Sequence, residues 1–243
     1  MIKIDGINKS FGALQVLKDF SLEVEQGEVV ALVGPSGCGK STLLNCITGL
    51  ETQFEGNIYI NGELQKQYLE HRRVGIVLQK YSNFEWMTTT ENIETAFIRS
   101  EDISNQEETI QGLIRETGLT GFEDSYINEL SGGMQQRVAV ARALAQYTSI
   151  LAFDEPFGAL DVENRLLLQK LFRTQVKHKD LTALFITHDL EEAILVSDKI
   201  AVLNKIPSSV RKIFRTDAIN FDNSKYSKEF IQLKEQIETQ LNY

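Results

Sequence analysis

Short apolar runs bounded by turn residues recur along the chain and predict β-strands. These runs are Val29–Val33, Ile58–Ile60, Val74–Leu78, Ile150–Phe153, Ala183–Ile186 and Ile200–Leu203. Helical spacing of apolar positions predicts helices over Lys40–Thr48, Gly132–Gln146, Val162–Lys177 and Leu190–Val196. Because alternating strands and helices are typical of a mostly parallel sheet covered on both faces, the pattern predicts an α/β fold.

Two segments depart from this alternation. Residues 81–147 hold helix-favouring stretches and no convincing strand, which predicts a helical insertion between two halves of the sheet. After Asn204 the pattern changes again, and the last stretch predicts a helix with one apolar stripe. The stripe consists of Tyr226, Phe230, Leu233, Ile237 and Leu241. The simpler interpretation is a terminal helix that packs on its own domain, and the alternative is a stripe that faces a partner or a membrane.

Composition narrows the class of protein. The chain has 243 residues, of which 42% are hydrophobic and 24% are charged, so it can bury a sizeable core. Its formal net charge of −9 disfavours a protein that binds nucleic acid by neutralising phosphates. Cys38 and Cys46 are too few for a disulfide framework, so we expect a reducing compartment. The sequence predicts neither a signal peptide nor a spanning helix, which needs about 18 apolar residues in a row.

The first motif with recognisable chemistry follows the strand Val29–Val33. Residues 34–42 read GPSGCGKST and match the phosphate-binding pattern G-x-x-x-x-G-K-[ST]. Glycines let successive backbone N–H groups point at phosphate oxygens, and the following helix N-terminus adds partial positive charge. We expect Lys40 to reach the β- and γ-phosphates and Ser41 to ligate Mg²⁺. The expected phosphate contacts are Gly34, Pro35, Ser36, Gly37, Cys38, Gly39, Lys40, Ser41 and Thr42.

Two carboxylates end another predicted strand. Ile150–Phe153 runs directly into Asp154 and Glu155. An Asp at a strand end beside a phosphate loop can hold Mg²⁺, and the next Glu can accept a proton from an attacking water. A solvated strand end is the alternative, but the phosphate loop favours the catalytic interpretation.

A second predicted helix N-terminus is suited to binding an anion. Residues 130–137 read LSGGMQQR, and Ser131 is expected to cap a helix that begins near Gly132. Small glycines let that helix end approach a phosphate. One nucleotide needs only one such loop, so the second predicts a nucleotide shared between two chains.

Together these motifs resemble the ATP-binding cassette (ABC) ATPase family, over about residues 2–203. The phosphate loop resembles its Walker A motif, residues 150–155 its Walker B motif and residues 130–137 its signature motif. The resemblance implies a P-loop NTPase (RecA-like) core with an N-terminal antiparallel β portion and an inserted helical subdomain. The ATPase domain would span 1–204, with its core at about 1–80 and 148–204 and its helical subdomain at about 81–147. Residues 205–243 would form a short tail that ends in a helix.

Four further positions resemble family residues. Gln79 resembles the Q-loop glutamine, which binds Mg²⁺ or the attacking water, and His188 the switch histidine, which contacts the γ-phosphate. Phe11 stands where the family has an aromatic that stacks on adenine, and Asp161 belongs to a D-loop at the interface with a second chain. The alternatives are that Phe11 is a core residue, that Gln79 is only a polar residue at a strand end, that His188 is incidental and that Asp161 is a helix N-cap. The N-cap role of Asp161 is compatible with a place at the interface.

The resemblance therefore implies three groups of site residues. The catalytic group is Glu155, His188 and Gln79. The nucleotide group adds to the phosphate loop Phe11, Ser131, Gly132, Gly133, Gln135 and Asp161. The Mg²⁺ group is Ser41, Gln79 and Asp154.

One ATPase domain with a short tail resembles the ATPase subunit of bacterial importers. Residues 84–93 and 155–161 resemble the nitrate/sulfonate/taurine branch. Two positions depart from the pattern: Glu85 stands where proline is usual, and Ile127 stands where proline often precedes the signature motif. The resemblance implies a head-to-tail homodimer, or a pair with another ATPase subunit, that hydrolyses ATP with Mg²⁺ to drive solute uptake. It also implies polytopic permease subunits that contact the chain near Gln79 and Trp86, and a separate solute-binding protein. The chain would lie peripherally on the cytoplasmic face of the membrane.

Alternatives to this function remain open. An importer of another solute class would share every motif. A soluble ABC ATPase that acts on nucleic acid or translation usually has a second cassette or a long coiled-coil insertion, and neither is expected from this sequence. The net charge of −9 also disfavours a nucleic-acid partner. A non-catalytic cassette is disfavoured by intact Asp154, Glu155 and His188. For Trp86, the alternative to a permease contact is an aromatic packed inside the helical insertion.

Overall fold

The computed structural model describes residues 1–78, 83–98, 105–146, 148–158, 160–216 and 227–241. Its strands are β1 (Ile2–Phe11), β2 (Leu14–Val24), β3 (Val29–Val33), β4 (Glu55–Ile60), β5 (Glu63–Leu64), β6 (Gly75–Val77), β7 (Ile150–Asp154), β8 (Thr182–Ile186), β9 (Lys199–Leu203) and β10 (Val210–Arg215). Its α-helices are α1 (Lys40–Thr48), α2 (Gln65–His71), α3 (Thr89–Glu94), α4 (Gln106–Glu116), α5 (Gly132–Ala145), α6 (Val162–His178), α7 (Leu190–Val196) and α8 (Lys228–Leu241). Short 3₁₀ turns follow at Thr95–Phe97 and Ile127–Glu129.

The central sheet has the strand order β10-β9-β3-β8-β7-β6 in the described part of the chain. Its neighbouring strands pair in parallel except for β10, which runs antiparallel to β9. Every residue of β3 is buried, and alternate residues face two different hydrophobic cores. Such burial on both faces explains why β3, β7, β8 and β9 appear in the sequence as continuous apolar runs, as predicted.

A second sheet is antiparallel, with the order β2-β1-β4-β5 among the described strands. It contains the predicted strand Ile58–Ile60 as part of β4, and it is the N-terminal antiparallel portion that the family resemblance implied. Strands β1 and β2 were not predicted from the pattern, because one of their faces is wet and their pairing is interrupted by irregular register. The sheet covers one face of the core that also contains α1.

The helical insertion is confirmed where the structure describes it. Between residues 83 and 146 the described segments hold α3, α4 and α5, and Thr88 pairs with Tyr126 only as an isolated bridge. Thr88 begins α3 with a capping box that Glu91 completes. The side-chain amide of Asn92 then donates to the carbonyls of Phe84 and Met87. This buried amide fixes the loop that leads into the insertion.

The terminal helix α8 packs on its own domain, as the simpler interpretation predicted. Phe230 and Ile237 are buried in the core that also contains α7. Lys234 forms a 2.8 Å ion pair with Glu191 of α7. Tyr226, the first residue of the predicted stripe, lies outside the described residues. The tail is thus attached to the helix that follows His188.

Candidate active site

Three adjacent strands bring the predicted catalytic motifs together. In the central sheet β8 lies between β3 and β7, and the three strands are parallel. Their carboxyl ends therefore meet at one edge of the sheet, where open α/β sheets commonly bind ligands. The phosphate loop follows β3, Glu155 follows β7 and His188 follows β8. Residues far apart in sequence become neighbours in one site.

The phosphate loop is closed on itself by Lys40. Its ammonium donates to the carbonyls of Gly34 and Pro35 at 2.8 and 3.1 Å. Gly39 precedes α1 with φ +104°, and a Cβ there would lie 2.7 Å from a methyl carbon of Val16. Only glycine fits this backbone and this close approach. The loop therefore presents the N-terminus of α1 to the site.

Ser41 and Asp154 form the candidate Mg²⁺ ligands. The Ser41 hydroxyl donates a hydrogen bond to the Asp154 carboxylate. Burial raises the pKa of Asp154, and the hydrogen bond from Ser41 and the Lys40 ammonium oppose that rise. Hard oxygen donors fit Mg²⁺, which commonly takes one or two protein ligands and completes its shell with water and phosphate. The described residues contain no group of three or more His, Cys, Asp or Glu side chains arranged for a metal ion.

Glu155 and His188 lie next to this pair and face each other. The Glu155 Oε1 and His188 Nδ1 atoms are 3.1 Å apart. Glu155 has φ +51°, a rare conformation for a residue with a side chain, and its N–H donates to the carbonyl of Ile186. Uncommon backbone conformations of this kind concentrate at functional sites. The geometry thus aims the carboxylate toward the loop after β8.

These groups share one open cavity of about 280 Å³. It is lined by Ser36, Gly37, Gly39, Lys40, Ser41, Thr42, Asp154, Glu155, Ile186 and His188. Its lining joins the predicted phosphate, metal and catalytic residues. The predicted site residues that the structure describes outside that lining are Phe11, Gly34, Pro35, Cys38, Ser131, Gly132, Gly133, Gln135 and Asp161.

The signature segment forms the second predicted helix start. The Ser131 hydroxyl accepts a hydrogen bond from the Met134 N–H at 3.3 Å, which confirms the predicted cap of α5. Gly132 and Gly133 are the first residues of the helix, where backbone N–H groups have no partner within the helix. The Gln135 amide donates instead to the carbonyls of Ile127 and Leu130. In this structure Gln135 therefore holds the preceding turn.

The remaining predicted site residues differ in exposure. Phe11 is 51% exposed, so it is not the core Phe of the alternative interpretation. Trp86 is 70% exposed and its ring lies 5.5 Å from that of Phe84, so the interpretation of a buried aromatic was wrong. Asp161 caps α6 by accepting from the Asn164 N–H at 3.0 Å. Gln79 lies outside the described residues.

Sequence reasoning missed a buried network behind His188. The Thr187 hydroxyl donates to Glu192, and the Gln169 amide donates to the same carboxylate at 3.1 Å. Thr187 also accepts from the Asp189 N–H at 3.0 Å. Burial raises the pKa of Glu192. A glutamate in the first turn of a helix usually lies in solvent, so the pattern gave no signal for this network.

We expect Glu192→Ala to lower the free energy of unfolding by about 2–3 kcal/mol, because it leaves buried polar partners without an acceptor. Urea unfolding followed by circular dichroism measures the change. Glu229→Ala is the matched control, since Glu229 lies exposed in the first turn of α8. A loss no larger than that of the control would contradict a structural role of the network.

Comparison with known proteins decides the family. Residues 17–158 match the family model described as ABC transporter. The chain belongs to the ABC transporter family. This ABC chain is 37% identical to the aliphatic sulfonates import ATP-binding protein SsuB of Bacillus cereus, over 97% of this chain and 94% of that protein. It is 43% identical to the sulfate/thiosulfate import ATP-binding protein CysA of Gloeobacter violaceus, over 84% of this chain and 60% of that protein.

Solved structures confirm the predicted fold class of the ABC chain. One is a dimeric post-hydrolysis state of the ATP-binding cassette MJ0796 bound to ADP and Pi, with a TM-score of 0.79 and 29% identity. That match covers 89% of this chain and 99% of the other. A second is the ATP-binding subunit of an ABC transporter, with a TM-score of 0.84 and 25% identity over the whole of both chains. The α/β core with its antiparallel sheet is thus the ABC ATPase fold.

Proposed function

We propose that this chain is the ATP-hydrolysing subunit of an ABC importer that takes up a sulfonate-type solute. The observation that carries the proposal is the facing pair of Glu155 and His188, 3.1 Å apart, in the cavity of the phosphate loop. The names of the relatives as sulfonate and sulfate/thiosulfate import proteins support the solute class. Selection of the solute itself belongs to other subunits, because the cavity described here is built for phosphates.

The nucleotide is proposed to bind along the phosphate loop. Lys40 turns from the carbonyls of its own loop to the phosphates, where an ammonium forms stronger, charge-assisted hydrogen bonds. Ser41 and Asp154 hold Mg²⁺, with Gln79 as a further ligand in the proposal. The ion would neutralise phosphate charge during hydrolysis. Ser41 would hold the ion from the first turn of α1 and Asp154 from the end of β7.

Glu155 is proposed as the general base. Its carboxylate accepts a proton from the water that attacks the terminal phosphate, a role that requires an ionised oxygen within hydrogen-bond reach. His188 Nδ1 faces Glu155, which leaves the other ring nitrogen to contact the terminal phosphate. The histidine thereby orients both the base and the phosphate. ATP is hydrolysed to ADP and phosphate at this edge of the sheet.

The site is proposed to be completed by a second chain. Ser131, Gly132 and Gly133 form an exposed or half-exposed helix start outside the described cavity, although their backbone donors suit a phosphate. In a head-to-tail dimer they would meet the nucleotide of the opposite chain, with Gln135 holding the signature turn and Asp161 at the interface. The dimeric structures of MJ0796 support this arrangement. ATP closes the dimer and hydrolysis reopens it.

The membrane partner is proposed to contact the exposed aromatic loop. Trp86 packs on Phe84, and the Arg142 guanidinium lies over the Phe84 ring at 5.3 Å from its centroid. A large, exposed aromatic on a fixed loop is typical of an interface anchor. No helix in the described parts of the chain is both long and apolar enough to span a bilayer. We propose that the permease subunits contact the chain near Trp86 and Gln79 on the cytoplasmic face, with a separate solute-binding protein.

We expect Trp86→Ala to abolish co-purification of polytopic membrane proteins with the tagged chain from detergent-solubilised native cells, because it removes the anchor. ATP hydrolysis by the isolated protein should stay within about twofold, since Trp86 is not part of the cavity. Phe122→Ala is the control, because Phe122 is an aromatic that is also exposed. Recovery of ribosomes or soluble partners with the unmodified chain, and of no membrane protein, would contradict the importer and favour a soluble ABC ATPase.

A further inference from the structure

A buried lysine lies beneath Phe11, two residues earlier on the same face of β1. Lys9 is only 4% exposed, and its Nζ atom is 4.4 Å from the centroid of the Phe11 ring. An ammonium at this distance over an aromatic face is held by the quadrupole of the ring. Lysine is rarely buried unless its charge is paired, so the buried Lys9 ammonium is expected to have polar partners besides the Phe11 ring.

Two anchors hold the Lys9 ammonium in place. Its Nζ atom donates to the carbonyl of Gln53 at 2.6 Å and forms a 3.0 Å ion pair with Glu51. The Gln53 N–H also donates to Glu51, and these two hydrogen bonds lower the pKa of the Glu51 carboxyl. The carboxylate is thus ionised and fixed opposite the lysine.

The anchors lie directly after the helix that carries the phosphate loop. Helix α1 ends at Thr48 with Gly49 as its C-cap, and the Glu51 N–H donates to the carbonyl of Asn45 at 3.0 Å. Lys9 therefore connects the end of α1 with the ring of Phe11. Through this connection the Phe11 ring is held at a fixed position relative to α1, the helix that begins at Lys40 of the phosphate loop.

Without such a support the Phe11 ring would be poorly fixed. Phe11 pairs with Leu14 at the end of the β1–β2 hairpin, next to Gly12 in the turn, and half of it is exposed. An exposed side chain must be immobilised when a ligand binds, which costs affinity. The ammonium covers one face of the ring, so the other face is the one available to a base.

We propose that Lys9 is a positioning residue for adenine recognition, which acts by holding the Phe11 ring at a fixed place relative to α1. The inference rests on the proposed ATP site. It adds a residue that determines how much the adenine base contributes to the affinity for ATP. Lys9 is not part of the lining of the phosphate-loop cavity. Its contribution should appear with nucleotides and not with a ligand that consists of phosphates alone.

Equilibrium binding of ATP and of inorganic tripolyphosphate to Lys9→Met tests this inference. Methionine keeps the length of the apolar stem but removes the charge, and the Glu51 side chain, which is 22% exposed, can then be solvated. We expect ATP affinity to fall about tenfold while tripolyphosphate affinity stays within twofold, given the usual size of a desolvated cation–π contact. Lys9→Arg, which keeps the charge, should retain most of the ATP affinity.

The Phe11→Ala background separates positioning from a general structural role. If Lys9 acts through the ring, adding Lys9→Met to Phe11→Ala causes no further loss of ATP affinity. An additive loss, an equal loss for both ligands, or unchanged ATP affinity in Lys9→Met would each overturn the inference. Glu51→Gln weakens the ion pair with Lys9 but leaves the Lys9 side chain in place. If Lys9→Met fails to fold, a loss of affinity for ATP but not for tripolyphosphate in Glu51→Gln supports the inference. An unmodified chain that binds neither ligand would instead overturn the proposed function, and this inference with it.

Discussion

Glu155→Gln is expected to lower the rate of ATP hydrolysis by about 10²- to 10⁴-fold, the usual contribution of a general base. The amide keeps the shape of the side chain but cannot accept the proton of the attacking water. ATP binding should persist or tighten, because the substitution removes a negative charge from the phosphate cavity and leaves Lys40 and Ser41 in place. Phosphate release measures the first effect, and equilibrium dialysis with ATP measures the second.

The control for this substitution is Glu229→Gln, an equivalent change at an exposed position on α8. It should hydrolyse ATP at the rate of the unmodified chain. Hydrolysis by Glu155→Gln at more than a tenth of that rate would assign the proton transfer to another group. Loss of ATP binding together with hydrolysis would instead place Glu155 in the binding of the nucleotide.

Lys40→Met should weaken ATP binding by about 2–5 kcal/mol, the usual effect of removing one partner of a buried charged contact. That loss corresponds to about 30-fold or more in affinity. The substitution has two effects. It removes the ammonium that would contact the phosphates, and it removes the hydrogen-bond donor to the carbonyls of Gly34 and Pro35. Hydrolysis at saturating ATP should fall to background.

Lys66→Met serves as the matched control, because Lys66 is exposed on α2. Its ATP affinity should equal that of the unmodified chain within a factor of about two. The circular dichroism spectrum of Lys40→Met shows whether the loop alone is affected. ATP hydrolysis at the normal rate in Lys40→Met would remove the assignment of the phosphate loop.

The sequence predicted those parts of the fold in which each strand is buried on both faces. Strands β3 and β7 can be recognised from the sequence alone, because no water-facing residue interrupts their apolar runs. Strands β1 and β2 have one wet face and irregular register, so their pattern is mixed. Strand β10 alternates only weakly, with Phe214 buried and its neighbours exposed. These strands depend on contacts with other strands that a local pattern does not contain.

The candidate site was predicted in the same uneven way. Residues in the phosphate loop or at a strand end have fixed spacing, and the structure brings Ser41, Asp154, Glu155 and His188 into one cavity. The supporting contacts were not predictable. Glu192 meets Gln169 of another helix, 23 positions away in sequence, and nothing in the local pattern distinguishes a buried glutamate from an exposed one. Tertiary packing alone selects those partners.

The proposed mechanism depends on a nucleotide site shared between two chains. Its most direct test is the mass of Glu155→Gln in light scattering after size exclusion, with and without saturating ATP and Mg²⁺. We expect a monomer without nucleotide and a dimer with ATP, because the variant binds ATP but does not hydrolyse it and so stays in the closed dimer. A monomer at saturating ATP, with binding of ATP demonstrated in the same sample, would contradict the shared site.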